Sequence, residues 1–418
     1  MDSKGEGTPG RPPLAGIRVL DFGRAAQVPY AAQLLGDFGA EVIKIEAEDG
    51  GIRGSRPQLA QAPSPGEPAY HGRGDGLIYR LALNRNKKSI VLDLKSEEGK
   101  ETVRRLVRIS DVVMENFRPD VMDRLGLGYE ALRQLNPRLI YVGASAYGAR
   151  GPMAHMGGGD LMVQALGGLA MMTGPDDGPP VLIGSHVVDM NGAMYVVEGT
   201  LLALLARGRD GVGQKVECNL LSSNLALQSI ELLAYWLAGS DPPRVPQGHS
   251  EFSANYYIYE CADGRWITAS FGDWEHFLAV LGLDDLIGDP RYDTAWKRVI
   301  HRDELVERVR PMMKTKSSQE WLALAREHDY HSQPVLSYSE IAALPQTNAD
   351  ANDDWVTVQQ PMVGEITMVN VPIHLSLTPG SVREPVPPLG AHTDEVLRMV
   401  GLAEGEVESR PSGRGAGT

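Results

Sequence analysis

The feature that most constrains this chain is a repeated alternation between short apolar runs and stretches of helical period. Residues 17–23 (IRVLDFG) have the pattern of a buried strand, residues 29–39 (PYAAQLLGDFG) that of a helix with proline near its start, and residues 40–46 (AEVIKIE) that of a second strand. In such a strand–helix–strand unit the two strands run parallel, with a right-handed crossover. The sequence therefore predicts an α/β fold built on a parallel sheet.

The same alternation continues along the chain. Further strands are predicted at residues 87–94, 111–117 and 139–148, and amphipathic helices at 96–110 and 129–138. This pattern is typical of an open parallel sheet with helices on both faces, where ligands bind at the carboxyl ends of the strands. Two candidate ligand positions follow, the loop after Phe22 and the loop around Asn116–Arg118.

A second region is predicted to begin after an apolar helix at residues 222–240. The stretch DPPRVPQGHS has the composition of a linker, NYYIYECADGRWITAS predicts a β-hairpin turned at Ala262–Gly264, and helices follow. Strand patterns return in EITMVNVPIHLS, before a loop and a short helix. We therefore expect a large domain from residues 14–225 and 335–403, a smaller α+β domain at 245–326, and disordered tails at 1–13 and 404–418.

The charge balance limits the partners. The chain carries 40 lysines and arginines against 54 aspartates and glutamates, a formal net charge of −14. This balance argues against nucleic acid as a partner, because its phosphates would be repelled. Cations nevertheless concentrate at residues 84–89 (NRNKKS) and at 118–124. Each cluster is either solvated surface or part of a binding site for a small polyanion.

The compartment is predicted from cysteines and apolar segments. Cys218 and Cys261 stand in no metal-binding pattern, which favours a reducing cytoplasm and no metal site. The N-terminus has no apolar segment of the kind found in signal peptides. The most apolar helical stretch, Met194–Ala206, contains Glu198 and is shorter than a bilayer requires. We therefore expect a cytoplasmic protein without a membrane partner.

Motifs for common cofactors and nucleophiles are missing from the sequence. The first loop, FGRAAQVPYAA, lacks the G-x-G-x-x-G of dinucleotide binding, and MGGGD lacks the lysine and hydroxyl residue of a P-loop. No G-x-S-x-G nucleophile elbow occurs, and the histidines show no metal-ligand spacing. The glycines Gly157–Gly159 form either a flexible turn or a place where a ligand lies close to the backbone.

Asp189 is the most promising reactive group. It ends the strand-like run VLIGSHVV and stands at or just before the start of an apolar helix, where aspartate is a preferred N-cap. The dipole and the free N–H groups of a helix start also favour an ionised carboxylate. The pattern leaves two roles open, a helix cap and a nucleophile toward an activated acyl group.

Several long segments together resemble the class III CoA-transferases, a family that includes formyl-CoA transferase, carnitine CoA-transferase and the α-methylacyl-CoA racemases. The matching segments are PLAGIRVLDFG, GAEVIKIE, NRNKKSIVLDLKSEEGK, DVVMENFRPDVMDRLGLGYEALRQLNPRLIYV, GGGDLMVQALGGLAMMTG and PPLGAHTDEVL. They run in one order from about residue 14 to residue 402. The resemblance implies a Rossmann-like large domain built from both chain ends, a smaller domain between them, and a homodimer of two interlocked rings.

The resemblance also implies that Asp189 matches the family's catalytic aspartate. With an acyl-CoA and a free carboxylic acid as partners, this aspartate forms a mixed anhydride and then an aspartyl-CoA thioester, before CoA passes to the acceptor acid. Both intermediates conserve the energy of the thioester, so neither ATP nor a permanently bound cofactor is expected. Backbone N–H groups near Gly157–Gly159 are expected to stabilise the tetrahedral oxyanions.

The residues expected to bind coenzyme A carry over from the same segments. They are Ala26, Gln27, Leu92, Asp93, Leu94, Lys95, Asn116, Phe117, Arg118, Arg124, Gly157, Gly158, Gly159 and Asp160. The arginines among them are suited to the 3′-phosphate and the diphosphate of CoA. Ala47 departs from the family, which often has an arginine directly after the second strand.

Two alternatives to CoA transfer remain open. Racemases of the family pair the aspartate with the histidine of a GHD element, because stereoinversion uses a base on each side of the α-carbon. This chain has Gly158–Asp160 in that place, and His155 is out of register. A CoA-binding protein without catalysis is the second alternative. The donor and acceptor acids are not evident, although Arg244 and His249 are candidate contacts for an acid.

Overall fold

The computed structural model describes residues 10–48, 76–175, 177–270, 273–361 and 363–402. Of the predicted tails, only residues 10–13 fall within these ranges, and there the N–H of Gly10 donates a hydrogen bond of 2.9 Å to the carbonyl of Leu377. The chain forms two compact units. The first comprises the residues up to Val163, Ser185–Leu227 and the residues from Asn348 onward, and the second comprises Gln164–Gly184 and Gln228–Thr347.

Within the described residues of the first unit, six parallel strands form one sheet. The strands are β1 (Arg18–Asp21), β2 (Glu41–Glu46), β3 (Lys87–Val91), β4 (Val112–Glu115), β5 (Ile140–Ser145) and β6 (Lys215–Asn219). Their spatial order is β3-β2-β1-β4-β5-β6. The order reverses between β1 and β4, so the crevice for ligands is expected beyond the carboxyl ends of these two strands. The predicted parallel α/β sheet is confirmed.

Helices cover both faces of this sheet, as the strand–helix alternation predicted. The helices of the first unit are α1 (Gln27–Asp37), α2 (Gly76–Leu83), α3 (Glu97–Arg108), α4 (Val121–Arg124), α5 (Tyr129–Leu135), α6 (Asp160–Leu166, which continues into the second unit), α8 (Val187–Asp210), α9 (Leu220–Leu227) and α16 (Thr393–Met399). Successive strand residues point to opposite faces. Val19 packs in a core with α1 and α8, whereas Leu20 packs in a core with α3, α5 and α16.

Local signals in the sequence account for where several of these helices begin and end. Ser96 caps α3, its side-chain oxygen accepting a hydrogen bond of 3.0 Å from the N–H of Gly99. Pro29 lies in the first turn of α1, where its missing N–H costs nothing. Gly39, just after α1, has φ of +99°, a conformation that favours glycine. These three positions agree with the boundaries that the sequence predicts.

The second unit has its own core and its own sheet. Its elements are α7 (Leu169–Met172), α10 (Ser229–Ala238), α11 (Trp274–Leu281), α12 (Ala295–Ile300), α13 (Arg302–Met313), α14 (Ser318–Glu327), α15 (Tyr338–Ala342), β7 (Tyr256–Glu260) and β8 (Trp266–Ser270). Strands β7 and β8 pair antiparallel around Gly264, which has φ of +73°, so the predicted hairpin is confirmed. Tyr259, Phe277 and Trp321 are buried in its core.

Some predicted elements differ from the structure. The single helix expected at residues 222–240 is two helices, α9 and α10, and Gln228 between them donates a side-chain hydrogen bond of 2.7 Å to the carbonyl of Gly167. The strand pattern near the C-terminus forms a separate hairpin of β9 (Trp355–Gln360) and β10 (Gly364–Val369). Residues 164–184 belong to the second unit, whereas the predicted boundaries place them within the segment 14–225.

Helix α8 is longer than the apolar run in the sequence indicated. It has 24 residues, so the prediction that this stretch is too short to span a bilayer is wrong. Within the described part of the chain, it is the one helix long and apolar enough to cross a membrane. Of its most apolar 18-residue segment, 39% is buried. Its buried face packs against α1, β5 and β6, and a core helix can have the same length and composition as a membrane span.

Candidate active site

The start of α8 differs from the sequence prediction in two ways. Residues 181–186 are irregular rather than a strand, and His186 occupies the N-cap without a side-chain capping bond. Asp189 is the third residue of the helix, so the prediction that it caps the helix is wrong. Its carboxylate is instead part of the first turn.

A different carboxylate caps this helix. Asp160 begins α6, and its Oδ2 accepts hydrogen bonds from the backbone N–H groups of Val188 and Asp189, at 2.8 and 3.2 Å. These are two of the N–H groups that a helix leaves without an internal partner at its start. Because Asp160 occupies them, they are not available to the side chain of Asp189.

Asp189 lies in an environment that disfavours its charge. Its surface is only 8% exposed. Burial, with a further contribution from the negative charge of Asp160, raises the pKa of Asp189 from 3.8 to about 6, and His186 opposes this shift. Burial and Asp160 therefore outweigh the expected preference of the helix start for the ionised carboxylate. At neutral pH the group is still mostly an anion, and it is more basic than an ordinary aspartate.

A buried amide without a hydrogen-bond partner lies beside α8, one turn after Asp189. Gln27, at the start of α1, is 2% exposed, and its Nε2 has no hydrogen-bond partner among the described residues. A Cβ on Gly192 would lie 2.8 Å from this nitrogen, so the amide fits only because residue 192 is glycine. Gly192 follows Asp189 by three residues, which places both on one face of the helix. A buried donor without an acceptor is costly, and a ligand oxygen would remove that cost.

The two predicted ligand loops are joined to each other. The side-chain oxygen of Asn116 accepts a hydrogen bond of 2.8 Å from the N–H of Arg24, and its amide nitrogen donates one of 2.8 Å to the Arg24 carbonyl. The Arg24 guanidinium lies 5.1 Å from the ring centre of Phe117. The loop after β1 and the loop after β4 thus meet where the strand order reverses, as the sequence predicts.

A cluster of buried charged side chains stabilises the loop after β1. Asp21, at the end of β1, accepts a hydrogen bond of 2.7 Å from the N–H of Gly23, and its other oxygen lies 2.8 Å from Nζ of Lys87 and 3.4 Å from Nζ of Lys44. Burial opposes the ionisation of Asp21, but the two lysines outweigh it and lower its pKa. Burial lowers the pKa of Lys87 to about 8. Lys44 also donates to the Gly23 carbonyl at 2.8 Å.

The glycine run packs beside the second loop. A Cβ on Gly157 would lie 2.6 Å from Nη2 of Arg118, and one on Gly158 would lie 2.7 Å from the Tyr147 hydroxyl, whereas Gly159 faces open space. Close packing therefore requires glycine at 158, where a Cβ would also lie 2.7 Å from Cβ of Ala146, whereas at 157 the neighbour is the flexible end of an exposed side chain. The proposed oxyanion donors in this run stay a prediction.

The remaining predicted CoA residues lie on neighbouring parts of the same unit. Leu92 and Leu94 pack at the edge of the core under α3, and Asp93 accepts a hydrogen bond of 2.9 Å from the N–H of Lys95. Arg124 is exposed at the end of α4. Ala26 is buried at the start of α1, so its side chain is not at the surface.

The comparison with known proteins identifies the family. The sequence profile described as CoA-transferase family III matches residues 14–393. The chain belongs to CoA-transferase family III. Among curated members of this family, succinate–glutarate CoA-transferase of Agrobacterium fabrum is 35% identical over 391 residues, covering 93% of this chain and 95% of that protein. Formyl-CoA:oxalate CoA-transferase of Escherichia coli O157:H7 is 31% identical, covering 94% and 97%.

Solved structures agree with the assignment to CoA-transferase family III. A CaiB/BaiF family protein from Brucella suis superposes with a TM-score of 0.78 at 29% identity, over 94% of this chain and all of that one. The mixed α/β fold with its six-stranded parallel sheet is thus the fold of these neighbours. Among the described residues, no group of three or more histidine, cysteine or acidic side chains is placed to hold a metal ion.

Arg244 and His249, the candidate contacts for an acid substrate, lie in different surroundings. Arg244 donates hydrogen bonds to the carbonyls of Met171, Pro175, Gly178 and Pro179, between 2.8 and 3.0 Å. Its guanidinium thus ties a loop of the second unit, and the hypothesis that it contacts an acid is not supported. His249 packs against the rings of Phe252 and Tyr256. His155 lies near Asp120, with 3.6 Å between Nδ1 and Oδ2.

Sequence reasoning missed one pair beside the candidate nucleophile. The Tyr79 hydroxyl on α2 forms a short hydrogen bond with Nε2 of His186, and the two rings meet edge to face with centres 5.2 Å apart. His186 precedes Asp189 by three residues, and its imidazole opposes the rise in the pKa of that carboxylate. The spacing His-x-x-Asp at a helix start was the available signal. Nothing in the sequence links it to Tyr79, which lies 107 residues away.

Proposed function

We propose that this protein transfers CoA from an acyl-CoA donor to a free carboxylic acid, with Asp189 as the nucleophile. The observation that carries the proposal is the buried Asp189 carboxylate, whose pKa of about 6 leaves it mostly ionised yet more basic than usual. A more basic anion is a better nucleophile toward a thioester carbonyl. The CoA-transferase activity in the names of the relatives supports the same reaction.

The reaction balances without an external proton or oxidant. Asp189 attacks the thioester carbonyl and the C–S bond breaks. CoA leaves as a thiolate, and the donor acyl group remains on Asp189 as a mixed anhydride. The thiolate attacks the Asp189 carbonyl, releases the donor carboxylate and leaves an aspartyl-CoA thioester. The acceptor carboxylate then attacks the same carbonyl and expels CoA. The thiolate finally attacks the acceptor carbonyl of the new anhydride, which frees both the product and the Asp189 carboxylate.

Tetrahedral intermediates in these steps carry a negative oxygen. The N–H groups of Gly157–Gly159 are the proposed donors for it, supported by the packing of this run beside Arg118. Gln27 offers a further buried N–H donor on the helix face of Asp189. We propose no permanently bound cofactor, since CoA and acyl-CoA enter as substrates and the covalent intermediates retain the energy of the thioester.

The substrate class follows from the relatives and from the chemistry. The names of the relatives cite succinate, glutarate, oxalate and formyl-CoA as substrates. A panel of short mono- and dicarboxylic acids is therefore the first choice of acceptors for this chain. We propose acyl-CoA and a carboxylic acid as the small-molecule partners and the cytoplasm as the compartment, with neither nucleic acid nor membrane as a partner, in line with the net charge of −14.

We further propose that the protein is a homodimer. Helix α10 has the apolar sequence SIELLAYWLA, yet none of its side chains is buried within the chain. Trp236 is 70% and Leu237 80% exposed. Apolar side chains that are contiguous and exposed mark an interface. A second copy of the chain is the occupant we propose, and sedimentation equilibrium at micromolar concentration tests it, with a monomer as the contradicting result.

The activity is tested by following CoA between molecules. Wild-type protein with an acyl-CoA donor and isotopically labelled acids should yield labelled acyl-CoA, detected by mass spectrometry. Asp189→Ala should abolish the transfer. Asp210→Ala is the control, because Asp210 is an exposed acid at the other end of the same helix. Full transfer by Asp189→Ala, or no transfer by the wild type with any acid of the panel, contradicts the proposal.

A further inference from the structure

Both polar groups of the Arg24 backbone are hydrogen-bonded, although the residue lies in a loop. Both its N–H and its carbonyl are hydrogen-bonded to the side chain of Asn116, each at 2.8 Å. The preceding N–H, of Gly23, is bound by Asp21 at 2.7 Å. The following residue, Ala25, has φ of +54°, which is rare for a residue with a side chain and is retained only where the surroundings enforce it. The loop therefore holds the backbone of Arg24 in one conformation.

The guanidinium of Arg24 has no anionic partner. It is exposed and lies over the ring of Phe117, and within the described residues it makes neither a hydrogen bond nor an ion pair. Several other arginines of the same unit form ion pairs. The pairs include Arg18 with Glu41, Arg80 with Glu46, Arg85 with Asp37 and Arg207 with Asp111. An arginine stacked on an aromatic ring and left unpaired is prepared for an anionic ligand.

The segment after β4 carries two further arginines. Arg118 and Arg124 are exposed and likewise have no ion pair within the described part of the chain. The start of α1, three residues after Arg24, has no acidic residue in its first turn and no side-chain cap. A single carboxylate would leave most of these positive groups unsatisfied, whereas a ligand with several phosphate charges would match them.

We propose that Arg24 binds a phosphate group of CoA, either the 3′-phosphate or the diphosphate. The inference rests on the proposed function, because it assumes that the ligand of this crevice is CoA. It adds a contact by a residue outside the set that the family resemblance supplied. Asn116 acts here as a positioning residue, since both polar atoms of its side chain are engaged with the Arg24 backbone.

Direct binding measurements test the contact independently of catalysis. Isothermal titration of the full chain with CoA should give an affinity for Arg24→Met about tenfold or more below that of the wild type, in line with the loss of a charge-assisted hydrogen-bonded pair. Arg24→Lys should keep part of the affinity. Arg133→Met is the matched control, because Arg133 also lies over an aromatic ring, at 5.7 Å from the centre of Tyr129, but is paired with Glu130. The control should bind CoA as the wild type does.

Two truncated ligands locate the contact. With 3′-dephospho-CoA, equal affinities for wild type and Arg24→Met assign the contact to the 3′-phosphate, whereas a persisting difference assigns it to the diphosphate. With an acyl-pantetheine donor, which has no nucleotide, the two proteins should have equal kcat/KM. A merely structural role of Arg24 would lower that value as well.

Three results overturn the inference. Wild-type affinity of Arg24→Met for CoA, when the wild type itself binds and transfers CoA, contradicts the Arg24 contact alone. An equal loss with CoA and with acyl-pantetheine contradicts a phosphate contact. A wild-type protein that binds no CoA overturns both this inference and the proposed function.

Discussion

The carboxylate of Asp160 caps the helix that carries Asp189, through hydrogen bonds of 2.8 and 3.2 Å to the N–H groups of Val188 and Asp189 itself. One acidic group thereby stabilises the helix start and also adds a negative charge beside the candidate nucleophile. Such a cap contributes about 1 kcal/mol to stability. It also helps to keep the pKa of Asp189 above that of an ordinary aspartate.

This arrangement predicts the acid limb of the pH profile. Because Asp189 must be ionised to attack, kcat/KM should fall as the pH drops below about 6. Asp160→Asn keeps a capping oxygen and removes the neighbouring charge, so the acid limb should move to lower pH. The kcat/KM of both proteins between pH 4 and pH 8 checks this. An acid limb that stays in place, or moves to higher pH, would show that Asp160 does not act on Asp189 through its charge.

The raised pKa also has a consequence for stability. The folded state holds the proton of Asp189 more tightly than the unfolded chain, so its stability falls as the pH rises from 3.8 through about 6. Asp189→Asn removes this penalty. Above pH 7 the variant should unfold with a free energy about 2 kcal/mol higher than wild type, and near pH 4 the difference should vanish. Urea titrations at the two pH values measure it, and a variant less stable than wild type at pH 8 contradicts the account.

The buried charges under the first loop should be worth more than their exposed neighbours. Lys87→Met leaves Asp21 with only the more distant Lys44, so we expect a loss of about 3 kcal/mol in the free energy of unfolding. Lys88→Met is the control, because Lys88 pairs with Glu41 and Glu395 at the surface and should lose less than about 1 kcal/mol. Equal losses in the two variants would show that burial of Lys87 is not what matters.

Two glycines of α8 should respond differently to alanine. At Gly208 a Cβ meets nothing within 4 Å, so Gly208→Ala should gain about 0.5–1 kcal/mol from helix propensity. At Gly192 a Cβ would lie 2.8 Å from the Gln27 amide and 2.9 Å from Leu220, so Gly192→Ala should lose that gain and slow CoA transfer. Thermal unfolding and the transfer assay compare the two. A Gly192→Ala protein as stable and active as Gly208→Ala would argue against a role for the Gln27 amide.

The sequence predicted the parts of the fold that local patterns determine. The apolar strands, the proline and glycine at the ends of α1 and the serine cap of α3 each act within a few residues, and all are present in the structure. The meeting of the loops after β1 and β4 was also predictable, since parallel strands end at one edge of the sheet.

The details of the site depend on contacts between distant residues, which no local pattern encodes. Asp189 was expected to cap its own helix because aspartate favours that position, but Asp160, 29 residues earlier, takes the N–H groups instead. In the sequence Arg244 was a candidate cation for an acid substrate. In the structure its guanidinium donates hydrogen bonds to loop carbonyls. The pairing of Tyr79 with His186 and the placing of Gln27 beside Gly192 likewise require the tertiary fold.

The central claim, that Asp189 is the nucleophile, is tested most directly by trapping the covalent intermediate. Wild-type protein is incubated with an acyl-CoA donor and then with hydroxylamine, which converts an aspartyl anhydride or thioester into a hydroxamate. Peptide mass spectrometry should find the modification on the peptide that contains Asp189, only when donor is present, and never in Asp189→Asn. Wild-type protein that transfers CoA but carries the hydroxamate on another residue, or on none, would contradict the account.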